Sequence, residues 1–190
     1  MRRRLSALRS FTLVELLVVM GIIAILAAIT LGVSGYAQRR AGASRAQSEI
    51  AAISAALDKY KMDNGVYPAT AAIPTANNGY DPTISPYAYT NNATVLYTNL
   101  AGRAHYTNAP SGPVYMEFTV SQLTTNAGAA DYVTDPFGYP YGYVADDPTV
   151  PTAYVVYNKG FFDLWSTRGQ SGTTAASQNA DQWISNWKDY

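Results

Sequence analysis

Residues 11–33 read FTLVELLVVMGIIAILAAITLGV, an apolar run whose one charged member is Glu15. A helix of this length crosses a bilayer, which takes about 20 residues at a rise of 1.5 Å each. Arg2, Arg3, Arg4 and Arg9 precede it, and a basic flank of this kind stays on the cytoplasmic side. The rest of the chain is then expected outside the cytoplasm. The run therefore limits the architecture to one membrane segment carrying a separate domain. A carboxylate inside such a segment is costly and marks function, and Glu15 lies close behind the junction of Ser10 and Phe11. Two plainer readings of the run stay open. One is a secretory signal, with Ala24, Ala27 and Ala28 imitating a cut after the apolar core. The other is a simple signal anchor. Neither accounts for Glu15.

A length of 190 residues suits one modest domain besides the membrane segment. Without cysteine, a disulfide framework and thiolate catalysis are excluded. Thirteen basic and 13 acidic residues balance, but unevenly along the chain. Cutting before Phe11 would remove four arginines and no acid, leaving a net charge of −4. A mildly acidic outer domain offers no electrostatic case for nucleic-acid binding.

After residue 33 the pattern turns amphipathic. Ala46, Ile50, Ile53, Leu57 and Tyr60 recur three or four apart and share one helix face. Asn64 and Gly65 supply a stop, with Pro68 beyond. Residues 11–63 thus predict one helix on the order of 80 Å long. Gly32 and Gly35 mark a place where it bends, or where a neighbouring helix packs closely. Residues 66–130 show no long periodic segment, and 69–109 read as a long irregular loop with at most a short helix or strand. Residues 113–120 alternate weakly, as a strand or short helix would. Residues 141–144, 153–157 and 160–166 read as strands, the first two joined through Asp146, Asp147 and Pro148. The expected fold class is α+β: a long N-terminal helix covered by an antiparallel sheet of three or four strands. The 16 tyrosines are read as packing surface in preference to a sugar platform.

Catalytic chemistry has little to stand on. His105 is the one histidine and reads as a surface residue; metal clusters need several ligands at set spacing. No G-x-S-x-G nucleophile motif or phosphate-binding glycine loop is present. Asp146 and Asp147, beside Pro148, read as solvated turn residues. The chain is not expected to be an enzyme.

Three stretches carry a resemblance. FTLVE and the apolar helix after it resemble the N terminus of type IV pilins and type II secretion pseudopilins. QSEIAAISAALDKYKMDNGVYP at 47–68 and DPFGYPYGY at 135–143 resemble the major pseudopilin of type II secretion, as do 162–172 and 181–187. The likeness covers roughly 8–68 and 132–187. It implies cleavage by a prepilin peptidase between Ser10 and Phe11, methylation of the new Phe11 amine, and pairing of Glu15 with that amine on a neighbouring subunit. The chain departs from the family with Ser10 where glycine is usual, and Gly32 where proline is frequent. The family's C-terminal loop binds calcium through two aspartates and backbone carbonyls. Asp163, Ser166, Gly169, Ser171, Gly172 and Asp181 fall in the corresponding segment. Asp181, with Ser171, is the remaining candidate ligand set, and a single carboxylate predicts weak calcium binding or none.

The resemblance implies a fibre subunit divided into a basic leader (1–10), a transmembrane half-helix (11–33), an amphipathic half-helix (34–64) and a globular domain (65–190). The last comprises a variable loop, 69–131, and a C-terminal sheet and loop, 132–190. The implied partners are further copies of the chain, the prepilin peptidase, minor pseudopilins and an inner-membrane assembly platform. The implied location is the inner membrane, single-pass, with the domain in the periplasm. Two alternatives are a type IV pilus subunit for adhesion, motility or DNA uptake, and an uncleaved membrane-anchored binding module.

Overall fold

The computed structural model of the chain describes residues 11–70, 75–76, 79–126, 129–146, 157–172 and 180–188. It divides into two units, Met1–Ala41 and Gly42–Tyr190, and helix α1 (Leu13–Asn64) runs through both. The first unit presents α1's apolar residues without protein cover: Leu13, Leu17, Ile23, Leu26 and Ile29 are all exposed. Such a surface calls for lipid or other helices. The helix is continuous through Gly35, and among the described residues no atom comes within 4 Å of a Cβ added there.

In the second unit α1 buries Ala46, Ile50, Ile53 and Leu57 along the face that the sequence spacing marks, with Tyr60 at its margin. A fully buried side chain of this size contributes about 1.5–3 kcal/mol by leaving water. The helix stops as expected. Gly65 takes a φ of +80°, which glycine adopts without steric cost, and its N–H donates to Lys61 O at 2.7 Å.

A second helix, α2 (Thr90–Ala101), lies in the segment that reads as an irregular loop. Its sequence, TNNATVLYTNLA, is half threonine and asparagine, whose side chains compete with the helical backbone in isolation. Burial decides otherwise: Ala93, Leu96, Tyr97, Leu100 and Ala101 enter the core. Beyond it, 113–120 forms neither strand nor helix until a 3-10 turn opens at Val120; Tyr115 and Met116 N–H groups both donate to Leu100 O, at 2.8 and 3.1 Å.

The strands are β1 (Thr75–Ala76), β2 (Gly79–Tyr80), β3 (Leu123–Asn126), β4 (Ala129–Val133), β5 (Gly142–Ala145), β6 (Phe162–Ser166) and β7 (Ile184–Ser185). Among the described residues they form three separate antiparallel sheets, β1–β2, β3–β4 and β5–β6–β7, in place of the one sheet that the sequence predicts. The expected strand at 153–157 lies almost wholly outside the described residues. β5 and β6 are buried throughout, and their period of two sorts them between two clusters. Tyr143, Ala145, Phe162 and Leu164 join the helix-lined core. Val144 and Trp165 join an aromatic cluster with Tyr80, Tyr89 and Trp183. Trp165 stacks on Tyr80 at 4.1 Å and lies over its cross-strand partner Gly142, where a Cβ would fall 2.0 Å from the indole.

Candidate functional site

Phe11 is exposed, and Thr12 stands as the residue before the first turn of α1. Thr12 N–H donates to Glu15 Oε2 at 2.9 Å, Thr12 Oγ1 donates to the same oxygen at 2.8 Å, and Glu15 N–H donates to Thr12 Oγ1 at 3.2 Å. This is a reciprocal capping box, in which residues three apart satisfy two N–H groups left over at a helix start. The T-x-x-E spelling that announces it is plain in FTLVE. Glu15 therefore has a local role besides any intermolecular one. Ser10 lies outside the described residues.

The DPFGYPY segment is a clasp. Asp135 Oδ1 accepts the N–H groups of Phe137 and Tyr139, both at 2.9 Å, and Oδ2 accepts from Ser166 Oγ at 2.5 Å. Burial pushes the Asp135 carboxyl above the usual carboxylate range, and these donors pull it back. The Phe137 ring rests against Gly42, whose added Cβ would fall 3.0 Å from it. Two turns further along α1, the buried Glu49 accepts from Tyr141 Oη at 2.8 Å and pairs with Arg45 at 2.9 Å. The segment so fastens α1 beyond residue 42 to β6.

The residues in the implied calcium loop are largely engaged elsewhere. The buried Asp163 carboxylate accepts from Tyr80 Oη at 2.6 Å and from the N–H groups of Tyr157 and Asn158 at 2.6 and 3.0 Å. Ser166 Oγ is committed to Asp135, and Ser171 Oγ donates to Ile84 O at 2.5 Å. Asp181 sits exposed in the 3-10 turn Ala180–Gln182. Its charge opposes the burial that draws the Lys188 ammonium below its usual value. Among the described residues no three His, Cys, Asp or Glu side chains gather. Calcium takes six to eight oxygens, several of them charged, and the described residues do not gather such a set.

One further residue differs from expectation. His105 is half-buried, with Nδ1 3.2 Å from Oδ1 of Asp131, whose other oxygen accepts Tyr106 N–H at 2.8 Å. A buried carboxylate needs such partners, so the histidine is a loop fastener and not a free surface residue. Asp146 Oδ2 accepts Gly160 N–H at 2.6 Å across the β5–β6 connection; Asp147 lies outside the described residues.

An apolar half-helix with a carboxylate in its first turn, running into a helix half that packs on small antiparallel sheets, defines a pilin-like subunit. Residues 7–31 match the model of the prokaryotic N-terminal methylation motif, and 35–78 match type II secretion system protein G. The type II secretion system core protein G of Pseudomonas aeruginosa is 30% identical over 187 residues, which span 98% of this chain and 99% of that one. The core protein G of Escherichia coli is 38% identical over 42% of this chain and 54% of its own length. That of Klebsiella michiganensis is 40% identical over 35% and 47%. The chain belongs to the type II secretion system core protein G family, the major pseudopilins, and is a structural subunit of the pseudopilus.

Proposed function

We propose that the chain is cut between Ser10 and Phe11 on the cytoplasmic face, methylated at the Phe11 amine, and then assembled from the inner membrane into a periplasmic fibre. Glu15 pairs with the Phe11 amine of the neighbouring subunit as each copy arrives. The observation that carries this is the exposed constellation of Phe11, Thr12 and Glu15 at the head of an uncovered apolar helix. In a dry bundle of such helices a carboxylate is costly unless a cation meets it, so the pair selects one axial register among many apolar ones. Before assembly the capping box satisfies the same oxygen. The role calls for no catalysis by the subunit, and the domain's partners are other copies, minor pseudopilins and the assembly platform.

Two measurements test this. Intact mass of the protein purified from its native membrane should match a chain that begins at Phe11 with one methyl group; a mass for residues 1–190 would overturn the processing step. Glu15→Gln separates the two roles of the carboxylate, since glutamine preserves a capping box but carries no charge. The variant should insert normally and fail to form fibres. Normal fibres from it would leave capping as the whole role of Glu15.

A further inference from the structure

We propose that Lys188, assisted by Arg168, takes in this chain the structural place of a bound calcium ion, holding the C-terminal turn closed by direct donation to its carbonyls. Lys188 Nζ donates to Ala180 O at 2.7 Å and to Trp183 O at 3.4 Å. Arg168 Nη1 donates to Gln182 O at 3.3 Å. Two side-chain cations thus meet three carbonyls of one short turn, 180–183. Two further carbonyls among the described residues of the loop also accept from protein donors. Gln170 O accepts Trp183 Nε1–H at 2.8 Å, and Thr167 O accepts Gln170 N–H at 2.7 Å.

The charge balance agrees with the geometry. Of the two carboxylates in the corresponding segment, Asp163 is buried and engaged by Tyr80, Tyr157 and Asn158, which leaves Asp181 beside two cations, Arg168 and Lys188. A divalent ion bound there would face two fixed positive charges with that one carboxylate to offset them. An ammonium needs no carboxylate cage, because three N–H donors suit neutral carbonyls. Arg168 also carries a φ of +53°, a left-handed conformation unusual outside glycine. Its surroundings hold it there: its N–H donates to Ser166 Oγ at 3.2 Å, and its guanidinium lies 5.4 Å from the Phe137 ring centre. The turn in turn seats Trp183, which is buried against Trp165 and Tyr89. Anchoring of the turn and completion of the aromatic cluster are therefore one event.

Thermal unfolding of the full chain in detergent, followed by tryptophan fluorescence, tests the proposal. The melting temperature should be the same in EDTA and in millimolar calcium chloride. Lys188→Met should lower it by several degrees, with no recovery on adding calcium. Lys188→Gln, which keeps one donor group, should fall between the two. A rise in the melting temperature of the unaltered chain on adding calcium would overturn the proposal, as would a Lys188→Met variant that melts with it. Should Lys188→Met fail to fold, the glutamine variant and the calcium response of the unaltered chain still decide.

Discussion

Glu15 and Glu49 are two carboxylates of the same helix in opposite circumstances. Glu15 is exposed and bonded to its own helix start, whereas Glu49 is buried and reaches across to another element. Tyr141→Phe removes the hydroxyl that donates to Glu49 and leaves a buried oxygen short of a partner. The expected loss is about 1–3 kcal/mol of unfolding free energy, measured by urea titration, with little change in native far-UV circular dichroism. An unchanged midpoint would mean that Arg45 alone suffices. A glutamate in an amphipathic helix reads as surface, but Glu49, three after Ala46 and four before Ile53, is buried, because a tyrosine 92 positions away reaches it there, which a helix wheel does not show. The same limit applies to His105, whose partner Asp131 is brought near by the β3–β4 hairpin.

At the scale of elements, α2 is the instructive case. Its apolar residues do recur at helical spacing, Ala93, Leu96, Tyr97 and Leu100, but the stripe is short and flanked by helix-neutral polar residues. A 12-residue helix of this composition is marginal by itself and forms because β4 and β5 cover it and its apolar residues join the core that α1 lines. Asn92, buried, donates its side-chain N–H to Tyr143 O at 2.9 Å and ties it to β5. Leu96→Ala should therefore cost about 2–5 kcal/mol, read as a drop in the urea midpoint. A change below about 0.5 kcal/mol, the usual result at a surface site, would show that the segment is a dispensable loop. α1 was legible throughout because its two patterns, uniformly apolar and then striped, are each long enough to outweigh local propensity. β5 and β6 were legible from dense aromatic and β-branched residues; β7 was not, since a two-residue strand carries no period.

For the whole molecule, the two units have different solvents. Every buried hydrophobic residue described lies at Ala46 or beyond, while the apolar residues from Phe11 to Ile29 are exposed. The second unit thus holds a complete core of its own. A fragment of residues 42–190 should be soluble without detergent and unfold in one cooperative transition. A fragment with fluctuating packing, seen as dye binding and lost near-UV signal, would show that the first unit contributes to the core. The second unit is also closed by polar clasps at Asp135, Asp163 and the 180–183 turn. The first two tie strands to residues outside their own sheets, which do not pair with one another strand to strand.

The sequence by itself determined the long helix, its stop at Gly65, the membrane-length apolar run with its carboxylate, and the family to which the chain belongs. These are local or periodic properties, and each is written in contiguous residues. The tertiary structure decided that a polar stretch becomes α2, that the strands divide among three sheets, and that cations and not carboxylates face the carbonyls of the C-terminal turn. Those outcomes depend on which groups meet across tens of positions, because burial and pairing are energies of contact and no single segment encodes both partners.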